Sequence, residues 1–227
     1  MNRYVSPEPP GLCVGEAVGL TADRHTLVAP HDFTWQSPSV VAVVGPNGAG
    51  KTTLIRLIGG LATPTSGHLE LNGESPRSRA RRHLIAYSPD RPITYPDMTV
   101  ERQCAYVARM HGLGGLPHWF DDLRHALGVT DRLLERPPVA FSKGETQKAS
   151  LLLALSRPHR MLLLDEPLSG LDVASQDAFV EWLIGHSHDE HLLTIVATHE
   201  QPLIDAADEV FQIERADQAA GSDPSTG

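Results

Sequence analysis

The octapeptide Gly45-Pro46-Asn47-Gly48-Ala49-Gly50-Lys51-Thr52 is the densest chemistry in the sequence. It fits G-x-x-x-x-G-K-[ST], a loop that cradles the phosphates of a nucleoside triphosphate. Glycines let the backbone wrap an anion without Cβ clashes. The N–H groups of the loop, and of the helix it opens, then point at the phosphate. Lys51 is placed to bridge β- and γ-phosphates, and the Thr52 hydroxyl to take a Mg²⁺ position. Thr53 continues the motif. Alone, the pattern names a nucleotide and not a reaction.

A second group lies at the end of "MLLLDEP", where Asp165 and Glu166 follow an apolar run. Ligands of open α/β sheets bind at the C-terminal ends of strands. Asp165 suits holding Mg²⁺ through water, and Glu166 suits orienting and polarising an attacking water. His199 ends the run "TIVATH". If that strand neighbours the one before the phosphate loop, the imidazole stands near a γ-phosphate. A third group is "FSKGETQ", a helix start at Ser142 with Gly144 two positions on. Helix starts favour anions, so the chain carries two phosphate-suited helix starts. "HSHDEH" (residues 186–191) reads as a solvated loop between helix and strand, not a metal site.

The elements that position these groups follow from pattern. Residues 40–44 are a continuous apolar run, β-branched at all but Ala42, the mark of a strand buried on both faces. The loop follows, then a helix that ends at Gly59 and Gly60. Weak strands are expected at 12–20 and 27–35, and short strands in "GHLELNG" and "LIAYSPD". Strand signals vanish over about 90–155, where residues 99–110, 117–127 and 143–155 read as helices. This is an inserted helical lobe. Alternation resumes with "MLLLDEP", a helix over 173–186, "LLTIVATHE", a helix over 201–207 and "EVFQIE". Such alternation implies a parallel sheet with helices on both faces.

The 227 residues allow one large domain or two small lobes. A net charge of −9 disfavours nucleic acid as a partner. Cys13 and Cys104 lie far apart and read as free thiols. No run reaches the ~18 apolar residues of a transmembrane helix, and no signal peptide is visible. The first ten residues, with three prolines, read as a loose arm. The segment 215–227 reads as a disordered tail.

Taken together, the motifs resemble the ATP-binding cassette (ABC) ATPases over roughly residues 12–214. "GPNGAGKTT" is similar to the Walker A loop and "MLLLDE" to the Walker B strand. "FSKGETQ" is similar to the signature motif, "SGLD" (169–172) to the D-loop, and "ATHE" to the switch histidine. The resemblance implies a P-loop NTPase (RecA-like) α/β fold, with an N-terminal β subdomain and an inserted α-helical subdomain, as one domain over 1–214. It implies ATP and Mg²⁺ as cofactors, and two cassettes stacked head to tail. Ser142, Lys143, Gly144 and Glu145 of the signature, with Asp172 of the D-loop, would then serve the nucleotide of the other cassette. Glu166 and His199 would be catalytic, and Thr52 and Asp165 metal-binding.

Two departures stand out. The family has an aromatic residue upstream of Walker A that stacks on adenine, yet no Phe, Tyr or Trp occurs between Tyr4 and Phe33. Weak base selectivity is therefore expected. The glutamine that usually meets Mg²⁺ is replaced by Asp90, which would be a third Mg²⁺ ligand beside Thr52 and Asp165. The resemblance further implies an energy-coupling subunit at the cytoplasmic face of a membrane, held there by a separate integral permease. "DRPITYPDMTVERQCAYVARMHG" is similar to exporters with separate permeases, and the short stretch after His199 argues against importers with a regulatory domain. Two alternatives stay open: a weakened cassette paired with a more active one, and a non-transport ABC ATPase.

Overall fold

The computed structural model describes residues 11–215. The expected N-terminal arm, and all but the first residue of the expected tail, lie outside them.

Two sheets carry the fold. β1 (Leu12–Ala22), β2 (His25–Gln36) and β4 (Ser66–Leu71) form an antiparallel sheet in the order β2-β1-β4. The β1–β2 register shifts at three points between Gly15 and Thr21, and these irregularities explain why the sequence signal for β1 is weak. The second sheet is parallel throughout. It contains β3 (Ser39–Val44), β5 (Ile85–Ser88), β6 (Met161–Asp165), β7 (Leu193–Ala197) and β8 (Glu209–Gln212), in the order β5-β6-β7-β3-β8. Every residue of β6 and β7 is buried. That is the physical content of the uninterrupted apolar runs.

Alternate residues of these strands face two cores. Val41, Val43, Leu163 and Ile195 pack with Leu54, Ile55, Leu57 and Ile58 of α1 (Lys51–Ile58), and with Val28, Phe33, Trp35 and Leu69 of the antiparallel sheet. α1 is thus clamped between two sheets. Each of its four fully buried side chains contributes about 1.5–3 kcal/mol of burial. The opposite residues, Val40, Leu162, Leu164 and Val196, face helices. These are α3 (Val100–Met110), α4 (Phe120–Ala126), α6 (Lys143–Leu155), α7 (Val173–Asp189) and α8 (Gln201–Ala206).

The helical segment is more broken than the sequence suggests. Between α3 and α6 stand α4, the single turn α5 (Asp131–Leu134) and a 3-10 turn over Pro138–Ala140. The helix expected over 117–127 starts at Phe120. A further single turn, α2 (Arg79–Arg82), precedes β5, and a run of four residues is too short to show a helical period. One reading is corrected outright. The histidines of 186–188 belong to α7, and His186 is only 7% exposed, stacked on Trp182 and facing His159. The polar look of the segment hid two buried positions, His186 and Ser187.

Candidate active site

β3 delivers the chain to the loop over Gly45–Gly50, and α1 leaves it. Gly50 caps α1 in the left-handed region, at φ 99°. A Cβ there would sit 2.3 Å from the Leu27 carbonyl oxygen, so only glycine lets the loop pack on β2. α1 has no side-chain cap and no acidic residue in its first turn. Its first N–H groups are therefore not claimed by a side chain, and they suit an external anion. Lys51 is buried, with Nζ donating to the Gly45 carbonyl at 2.8 Å across the loop.

The parallel register sets the second wall. β7 lies between β3 and β6, so the ends of all three converge beside the loop. The Thr52 hydroxyl donates to Asp165 Oδ1 at 3.0 Å. Asp165 is 1% exposed, and its Oδ2 is buried without a hydrogen-bond partner. Burial pushes its carboxyl above the usual range, repulsion from Asp90 and Glu166 adds to this, and the Thr52 hydrogen bond opposes it. Glu166 takes a left-handed backbone, φ 49°, while its N–H donates to the Ala197 carbonyl at 2.8 Å. Such a conformation costs a bulky residue roughly 1–3 kcal/mol and collects at functional sites. Glu166 Oε2 lies 2.8 Å from His199 Nδ1.

A cleft of about 530 Å³ joins these groups. Asn47, Gly48, Lys51, Thr52 and Thr53 line it from the loop and helix, and Glu166, Ser169 and His199 from beyond β6 and β7. Asp90 lines it too. The loop, Glu166, His199 and Asp90 are thus brought to one cavity.

The signature residues are not. Ser142, Lys143, Gly144, Glu145 and Asp172 line a separate cleft of about 720 Å³, with Arg132, Arg136 and Lys148. At the start of α6 the Ser142 hydroxyl accepts from Glu145 N–H at 3.1 Å, and the Glu145 carboxylate accepts from Ser142 N–H at 2.8 Å. This capping box holds the Glu145 carboxyl below its usual range, chiefly through the Ser142 N–H. Asp172 caps α7, accepting from Ser175 N–H at 3.0 Å and from Lys148 at 3.1 Å. Those contacts, the Ser175 N–H foremost, hold its carboxyl far below the usual range.

Between the two clefts runs the turn Ser169–Gly170. A Cβ on Gly144 would meet the Gly170 carbonyl oxygen at 2.5 Å, and Lys143 Nζ donates to Ser169 Oγ at 2.9 Å. The signature helix is therefore fastened to a residue that lines the other cleft. Sequence reasoning missed Lys148 and the basic pair Arg132 and Arg136. No local motif marks them, because their place depends on helices packing across the lobe.

Comparison with known proteins places these features in a family. The "ABC transporter" family model matches residues 28–169. The chain is 33% identical to the sulfate/thiosulfate import ATP-binding protein CysA of Synechococcus elongatus over 184 residues, 79% of this chain and 53% of that protein. It is 34% identical to the cytochrome c biogenesis ATP-binding export protein CcmA 2 of Cupriavidus metallidurans over 166 residues, 71% of this chain and 77% of that protein. The chain therefore spans about half the length of the first of these relatives. The dimeric structure of MJ0796, a bacterial ABC transporter cassette, superposes with a TM-score of 0.80 at 17% identity, covering 89% of this chain and 94% of that one. That likeness concerns the fold.

Proposed function

The chain belongs to the ABC transporter family, and from that premise we propose that it is the ATP-hydrolysing subunit that powers an exporter through a separate membrane permease. One observation carries the catalytic part: the Thr52–Asp165 hydrogen bond and the Glu166–His199 contact meet at one phosphate loop.

The triphosphate lies along the loop, against the α1 N-terminus and Lys51. The buried, unpartnered Oδ2 of Asp165 fits a divalent cation, which would give it the partner it lacks. Thr52 and Asp165 would hold Mg²⁺, with Asp90 within the same cleft. Held there, Mg²⁺ would supply positive charge to offset that of the phosphate oxygens. Glu166 accepts the proton of the attacking water, and His199 fixes its carboxylate through Nδ1. Ser142 and Gly144 line a separate cleft, and we assign them to the nucleotide of a second cassette.

The permease rests on a different support. No described helix is long and apolar enough to cross a membrane. Ile93, Tyr95, Tyr106 and Met110 are each more than half exposed, in the segment after Asp90 and on α3. We assign this segment to docking a membrane subunit at the inner face of the membrane. Relatives include import and export subunits; the export reading leans on the likeness of the segment after Asp90 to exporters.

The test uses the purified chain. Mg²⁺-dependent ATP turnover by the wild type, with Glu166→Gln losing turnover while forming ATP-dependent dimers on size exclusion, is the expected result. The amide keeps size and loses the charge that polarises water, a role worth ~10²–10⁴-fold. Wild-type turnover in Glu166→Gln would remove Glu166 from the chemistry.

A further inference from the structure

The phosphate loop is not held equally along its length. At one end Gly45 packs against the chain that follows β8, where a Cβ would lie 2.3 Å from the Ile213 carbonyl oxygen. At the other end Gly50 is pressed against Leu27 in the same way. Gly48, between them, is open, since a Cβ on it would meet no atom within 4 Å. It takes a left-handed backbone, φ 82°, which glycine adopts at little cost. Packing therefore does not fix the plane of the Asn47–Gly48 peptide.

One side chain does. Arg215 donates to the Asn47 carbonyl oxygen twice, from Nε at 3.1 Å and from Nη2 at 2.9 Å. Its backbone is placed by Ile213, which is fully buried and donates its N–H to the Val44 carbonyl at 2.8 Å, just before the loop. Two donors of one planar guanidinium engage both lone pairs of one carbonyl and so set its direction. Arg215 opens the segment expected to be a tail, and no motif marks it. A trans peptide is planar, so the Asn47 carbonyl and the Gly48 N–H point opposite ways. Asn47 and Gly48 line the cleft, and Arg215 lies outside that lining. A carbonyl held outward by Arg215 turns the Gly48 N–H inward, toward the space a phosphate fills. The reversed peptide would aim a carbonyl oxygen at the anion and repel it.

We propose that Arg215 is a positioning residue for triphosphate binding, which through the Asn47 carbonyl locks the Asn47–Gly48 peptide with its N–H facing the nucleotide. This rests on the ATP reading above. Arg215 acts through the loop and does not touch the nucleotide. Without it the peptide samples both orientations, and the apparent affinity falls by the fraction of loops in the competent one. A bound triphosphate selects that orientation by its own charge, so turnover at saturation changes little.

The test compares wild type, Arg215→Ala and Arg215→Lys. KM and kcat are measured for ATP with Mg²⁺, and calorimetry gives the affinity of inorganic triphosphate with Mg²⁺. Arg215→Ala should raise the KM for ATP and weaken triphosphate by the same factor, about three- to tenfold, the scale of a charged hydrogen bond reduced by solvent. Its kcat should stay within about twofold of wild type. Arg215→Lys keeps the charge and a donor but not the fork, and should fall between the two. The ratio of Arg215→Ala to wild type should persist in about 0.5 M KCl, because a contact this short is screened little. A ratio that collapses to one at high salt would make Arg215 a long-range attractor of anions and overturn the proposal. So would wild-type KM and triphosphate affinity in Arg215→Ala, or a fall in kcat and in urea midpoint with KM unmoved, the mark of a purely structural residue. A wild type that binds neither ATP nor triphosphate would overturn the phosphate reading itself, and the proposal with it.

Discussion

α1 and α6 both start at a short turn suited to an anion, but their first turns are satisfied in opposite ways. α1 begins at a left-handed glycine, with no side-chain cap and no acidic residue. α6 begins at a serine and glutamate that satisfy each other's backbone N–H groups. The first helix start is kept open by its sequence and is clamped between two sheets. The second is finished on its own terms and faces a solvent cleft edged by basic residues. An open start in a rigid frame suits a resident triphosphate. A capped start, tied by Gly144 and Lys143 to the turn at Ser169–Gly170, suits a ligand that comes and goes.

Substitutions at the two starts should therefore have different signatures. Lys51→Ala should cut ATP affinity of the isolated chain by about 10–100-fold, the scale of one lost charge-assisted contact. Ser142→Ala should leave that affinity unchanged. It should instead lower stability by about 1 kcal/mol through the lost cap, read as a lower urea midpoint. A loss of ATP binding by Ser142→Ala in the monomer would erase the distinction.

Behind both starts, at the far end of α6, lies a control that touches neither. His159 Nδ1 meets the Arg157 carbonyl at 2.7 Å, its Nε2 faces His186 at 3.4 Å, and Trp119 Nε1 donates to the Leu155 carbonyl. Burial drives the His159 pKa down to about 3 and that of His186 to about 4. Both bind protons more readily unfolded, with an ordinary value near 6.5. The stability of the neutral pair is complete above pH 6.5 and falls as pH drops toward 4. A loss on the order of 1–3 kcal/mol between pH 7 and pH 5 is expected from urea titrations. His186→Phe should reduce that pH dependence by about half, since buried His159 keeps its own share, while leaving ATP affinity at pH 7 intact.

The motifs that act through local backbone were legible in the sequence. The loop, the strand end at Asp165–Glu166 and the helix start at Ser142 each need only neighbours in the chain. The sheets were legible where burial on both faces produces unbroken apolar runs, as in β6 and β7. What was hidden depends on packing between distant segments. Asp172 belongs to the signature cleft, yet its carboxylate is spent on capping α7 and on Lys148. His199 pairs with Glu166, a contact between residues 33 apart that no periodicity reports. His186 turned inward because α7 runs a full turn beyond its last obviously apolar position.

The smallest effect expected concerns Asp90. It lines the loop cleft and acts on Asp165 through repulsion, so its contribution is through charge. Asp90→Asn should move the Mg²⁺ midpoint for ATP hydrolysis upward by about threefold, well under the limit for a charged contact. Superimposable Mg²⁺ titrations would mean that Asp90 does not sense the ion.

The division of labour between the two helix starts can be tested in one mixing experiment. Lys51→Ala disables the loop and leaves the signature intact. Gly144→Asp does the reverse, because a side chain at 144 collides with the Gly170 carbonyl and puts a negative charge in the second cleft. Each variant alone should hydrolyse ATP negligibly. Mixed in equal amounts, they should recover a substantial fraction of wild-type turnover, since one mixed site pairs a sound loop with a sound signature from the other chain. No recovery on mixing, with both variants folded and Gly144→Asp still binding ATP, would contradict the assignment of the α6 start to a second copy's nucleotide.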